Sequence, residues 1–113
     1  MTLLGEMHAV TSWKGVLMTV CAVLAERHDG QFTERVLALR GRKRAYFGRS
    51  AEGMTRGEAI GASGLWVETN FSAHDILKVV GLVMGTLGYD DSEIDVAFLS
   101  AIEADGRESS LII

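Results

Sequence analysis

"GLWVETNFSAHDILKVVGLVMGTLG", residues 64–88, decides how this chain folds. Its first part alternates. Leu65, Val67 and Thr69 fall on one side and Trp66 and Glu68 on the other, the period of a strand with one buried face. The second part changes period: Ile76, Val79, Val80, Val83, Met84 and Leu87 recur at helical spacing and form one apolar stripe. The junction carries its own signals. Ser72 is placed as an N-cap with Asp75 three residues on, a capping box with Asp in place of Glu, and Phe71 can pack on Ile76 as a hydrophobic staple. Gly88 closes the helix.

Toward the N-terminus the pattern is mostly helical. Trp13, Val16, Leu17, Val20, Cys21 and Leu24 make one face of a helix expected over 10–28, which Asp29-Gly30 ends. A shorter helix is expected over 31–40, with Gly41 as the residue just past its end. That would leave Arg42, Lys43 and Arg44 on a loop. Ala45 to Gly48 has the composition of a short strand, the expected antiparallel partner of 65–69. Residues 50–63 are glycine-rich and without period, and read as a loop with at most one turn of helix. "GASG", Gly61 to Gly64, is a turn.

Beyond the central helix, "DDSEIDVAFLSAIEADG" (90–106) supports two readings. Asp90, Asp91 and Glu93 suit a helix N-terminus electrostatically, whereas Ile94, Val96 and Phe98 alternate as in a strand. The helix is favoured. The fold class is therefore α+β: a mainly helical single domain over 10–104, with a small antiparallel sheet of two or three strands. Residues 1–9 are expected as a loose leader and 105–113 as a flexible tail.

The totals exclude several functions. A chain of 113 residues suits one domain with an ordinary core. The single Cys21 lies in an apolar helical stripe and forms no internal disulfide, which fits a reducing cytoplasm. Gly15 to Ala25 is too short to span a bilayer, and a secretory signal would have a poor n-region, so no membrane role is expected. His8, His28 and His74 are dispersed, and no Cys pair or HExxH spacing suggests a metal. No nucleophile stands at suggestive spacing from a base. Neither an enzyme nor a cofactor is expected.

Charge is what remains. The window Leu37 to Ser50 holds Arg40, Arg42, Lys43, Arg44 and Arg49 and no acid, while the other 99 positions hold 6 Lys or Arg against all 15 Asp and Glu. On a chain of net charge −4, such segregation points to a local contact with phosphate or base edges. An arginine fork holds either a phosphate or the O6/N7 edge of guanine. Asn70, just outside a helix N-terminus, carries the amide suited to the N6/N7 edge of adenine.

"GRKRAYF" (Gly41 to Phe47), "IGASGLWVETN" (Ile60 to Asn70) and the amphipathic helix ending at Gly88-Tyr89 together resemble the C-terminal DNA-binding domain of the SeqA family. These are bacterial replication modulators that bind hemimethylated GATC sites, and the resemblance covers roughly residues 9–98. It implies a SeqA-like α+β fold, double-stranded DNA as partner, and a place in the cytoplasm on the nucleoid. It also implicates Arg42 and Arg44 in a DNA-contacting loop, and Thr69 and Asn70 in a segment reading bases beside a methylated adenine. Lys43 replaces a small polar residue of the family's loop. Ser72 stands where the family has a second reading asparagine, and His74-Asp75 where it has a Gly-Arg-Lys run. No counterpart of the family's N-terminal oligomerisation domain is recognised, so paired sites would need another dimerisation surface or partner. The rival expectations are a protein-interaction module on the same scaffold without DNA reading, which would form a homo-oligomer or a larger protein assembly, and a non-catalytic part of a restriction or defence assembly.

Overall fold

The computed structural model describes residues 1–41 and 45–98. Three helices form its body: α1 (Trp13–Arg27), α2 (Gln31–Leu37) and α3 (Ala73–Thr86). They pack against one another through the stripes read from the sequence. Val16, Leu17, Val20, Cys21 and Leu24 of α1 are buried against Ile76, Val79, Val80, Val83 and Met84 of α3. Burial pushes the Cys21 thiol up to about 12, as expected for a small hydrophobe that cannot ionise in an apolar interior.

The boundaries of α3 follow from local chemistry. The Ser72 hydroxyl accepts from the Asp75 amide at 3.2 Å. At the other end Gly88 adopts φ +91°, so Tyr89 N donates to Met84 O at 2.9 Å and Gly88 N to Gly85 O at 3.1 Å. Those two bonds are a Schellman cap. Arg35 of α2 adds a bond to the same end, donating to Thr86 O at 2.9 Å.

One sheet has the order β3–β5–β4, all antiparallel, from β3 (Phe47–Gly48), β4 (Gly57–Ala59) and β5 (Trp66–Glu68). The pairing of β3 with β5 is the one expected. Residues 50–63, expected as loop, contain β4. The GASG turn joins β4 to β5: Ser63 N and Oγ both bond Ile60 O, and Ile60 N bonds Leu65 O. Phe32 meets Phe47 edge-to-face at 6.4 Å, which ties α2 to this sheet.

A second sheet corrects two expectations. β1 (Thr2–Leu3) pairs with β2 (Glu6–Met7) and with β6 (Ile94–Asp95). Residues 1–7 are thus built into the domain rather than forming a leader, because Met1 and Leu3 are buried core residues. Leu4 (φ 52°) and Gly5 (φ 83°) make the tight turn between β1 and β2, with both central residues left-handed as a two-residue hairpin requires. The favoured helix over 91–104 is also replaced where it is described. Asp90 caps a 3₁₀ turn, Asp91–Glu93, and Ile94 then pairs with Leu3. Side-chain and backbone hydrogen bonds from Ser92 hold the Asp90 carboxyl below its usual value. Ile94, Val96 and Phe98 are half-buried and Asp95 and Ala97 exposed, the alternation of an extended chain. Phe98 closes on Trp13 edge-to-face at 4.9 Å. Residues 99–104 and the expected tail at 105–113 lie outside the described residues.

Candidate nucleic-acid interface

The antiparallel register of β3 and β5 determines which loops are neighbours. Phe47 faces Val67, and Glu68 N donates to Tyr46 O at 2.9 Å, so the N-terminal end of β3 lies beside the C-terminal end of β5. The first of these ends leads back to Ala45 and the second forward to Asn70. Arg42, Lys43 and Arg44 lie outside the described residues. Their flanks are described: Arg40 and Ala45 form an antiparallel bridge.

Gly41 is not the helix-ending residue expected of it, since α2 stops at Leu37 with Ala38 as its C-cap. Its lack of a side chain serves a close approach instead. A Cβ at Gly41 would lie 2.9 Å from the Tyr46 hydroxyl and 3.0 Å from two ring carbons. The Tyr46 ring is buried and meets Phe71 edge-to-face at 5.8 Å. Gly41, Tyr46 and Phe71 therefore link the base of the first loop to the second. We expect Gly41→Ala to lower stability by about 1–2 kcal/mol, read as a lower urea midpoint, because the added Cβ would push on a buried ring that packs on Phe71.

The second loop is held by a buried carboxylate. Glu68, expected on the face opposite Val67, is 1% exposed. Its Oε1 accepts from Thr55 N at 2.7 Å, and its Oε2 accepts from Arg56 N at 2.8 Å and Asn70 N at 3.0 Å. A carboxylate tolerates burial when its lone pairs meet donors in this way. Thr69 is also buried: its amide and its hydroxyl both donate to Arg56 O, at 2.9 and 2.7 Å. Asn70 and Ser72 are exposed. The Ser72 oxygen accepts from Asp75 N, which leaves its own proton for another acceptor. Asp75, exposed in the first turn of α3, favours the helix through its dipole while adding a negative charge beside the loop.

Arg56 was not singled out from the sequence. The β4–β5 register (Gly57 facing Glu68) brings the residue before β4 to the same sheet end as Asn70. It is exposed, and it makes no ion pair among the described residues. Only the hairpin register could have revealed it, and β4 was not legible. Among the described residues no three His, Cys, Asp or Glu cluster as metal ligands. No helix among them is long and apolar enough to cross a membrane.

A family model described as the SeqA protein C-terminal domain matches residues 6–98. The chain belongs to the SeqA family. The SeqA match takes in all three helices, the whole β3–β5–β4 sheet and both loops. The chain is also 33% identical, over 82 residues, to a protein of Pseudoalteromonas atlantica (strain T6c / ATCC BAA-1087) named negative modulator of initiation of replication. That alignment covers 67% of this chain and 47% of the relative, so the chain spans about half the relative's length.

Proposed function

We propose that this SeqA-family domain is a non-catalytic, duplex-DNA-binding module, acting in bacterial replication control in the cytoplasm. The observation that carries the reading is the β3–β5 register, because it gives the flanks of the basic triplet and Asn70 one common sheet end. In this reading Arg42, Lys43 and Arg44 bind phosphates, with an arginine fork available to a guanine edge. Asn70 reads an adenine, Ser72 donates its remaining proton, and Thr69 keeps the loop rigid from within the fold. An adenine-methylated or hemimethylated duplex is the finer assignment, supported by the family and by Asn70.

Anisotropy titrations on fully methylated, hemimethylated and plain GATC duplexes, at about 50 and 200 mM salt, test this. The expected result is binding at the lower salt that weakens steeply at the higher, with hemimethylated duplex preferred. No binding to any duplex at the lower salt overturns it. Asp75 favours one second reading, since its charge beside the loop opposes phosphate: a protein-docking module. A concentration-dependent oligomer that dissolves in high salt, without DNA affinity, would support that alternative.

A further inference from the structure

We infer that Arg56 is a further DNA-backbone contact, presented from the β4 hairpin beside Asn70, and this rests on the reading just given. Three observations carry it. β5 is the central strand, so what precedes β3 and what precedes β4 flank the exit of β5 on opposite sides. Ala45, the described flank of the basic triplet, precedes β3 and Arg56 precedes β4, with Asn70 at the exit of β5.

The second observation is rigidity. One oxygen, Glu68 Oε2, accepts from both Arg56 N and Asn70 N, so these two backbones lie within two hydrogen-bond lengths of each other. The Arg56 carbonyl is fixed independently by Thr69 N and Oγ1. Both backbone polar groups of Arg56 are thus tied to the segment that carries Asn70, and little backbone entropy is left to lose on binding.

The third observation is charge. Lys14 and Arg27 are engaged by Glu58 and Glu6, at 2.9 and 3.2 Å. Arg56, by contrast, is exposed and without an ion pair among the described residues. The carboxylate nearest its backbone, Glu68, faces inward onto amides and is 1% exposed. A guanidinium held beside a reading loop in this state fits a phosphate oxygen rather than an intramolecular partner.

The test uses the full chain and a GATC duplex, titrated between about 50 and 200 mM salt. Arg56→Ala is expected to weaken binding roughly tenfold at the lower salt, equally on methylated and plain duplexes, and to flatten the salt slope by about one unit. Arg56→Lys should restore the slope. Arg35→Gln, on α2 against the C-terminal end of α3, is expected to leave it unchanged. If the parent chain binds and Arg56→Ala keeps its affinity and slope, the assignment of Arg56 falls while the DNA reading stands. An equal loss on Arg35→Gln also overturns it, since net charge alone would then account for the effect. If the parent chain binds no duplex, both fall together.

Discussion

Replacing Glu68 by alanine is expected to lower the stability of the domain by about 3 kcal/mol or more, a large share of what a domain of this size has. Three backbone amides, those of Thr55, Arg56 and Asn70, lose their acceptor at once. Hydrogen bonds to a charged group contribute about 1.5–3 kcal/mol each, and a buried donor left without a partner carries the full desolvation penalty. The three losses are not additive, because the freed segments can relax toward water at the exposed Thr55 and Asn70. Glu68→Gln separates shape from charge. Its amide oxygen can still serve one pair of N–H groups, but its NH₂ must then face the third donor, so an intermediate loss is expected. Chemical denaturation measures both variants. A loss below about 1 kcal/mol for the alanine variant would falsify the view that this carboxylate holds the sheet end together.

The same residue shows where the sequence could be read and where it could not. Alternation placed Glu68 opposite Val67, on the side where a charge would meet solvent. The structure buries it because backbone donors leading into the other arm of its own hairpin satisfy it, and no local pattern encodes donors that come from twelve and thirteen positions away. Signals that are local in sequence were legible: the Ser72 cap, the Gly88 termination and the apolar stripes of α1 and α3. Signals that depend on distant pairing were not. β1 and β2 are two residues each, too short to alternate, and β6 finds β1 only after some ninety intervening residues. With that pairing invisible, the acids at 90–93 read as a helix start. Gly57-Glu58-Ala59 has no strand propensity of its own and is held by its neighbour β5. Arg56 was hidden for that reason, although the basic triplet stood out by charge segregation alone. Gly41 was noticed for a reason the fold does not use, since its freedom serves the Tyr46 ring rather than a left-handed turn.

The double variant Arg42→Ala/Arg44→Ala carries the largest expected loss of DNA affinity, about a hundredfold or more at low salt. Each arginine that holds a phosphate or a base edge contributes about 1–3 kcal/mol, and 1.4 kcal/mol is tenfold. If both hold phosphates, the dependence of affinity on salt should flatten by about two units. Charge and shape can be told apart by the lysine pair, Arg42→Lys/Arg44→Lys. An ammonium keeps the Coulomb attraction and so should preserve the slope, but it lacks the planar fork that grips O6 and N7 together. Retained slope with reduced discrimination between a GATC duplex and one with its guanines replaced would assign a base-reading part to at least one arginine. Retained slope with unchanged discrimination would assign both to the backbone and leave sequence reading to Asn70. Asn70→Ala then provides the complementary measurement: its salt slope should match the parent while its preference among the three duplexes collapses, because a neutral amide releases no counterions. Alanine at both arginines with affinity and slope unchanged would remove the first loop from the interface, and with it the reason an acidic chain concentrates its positive charge there.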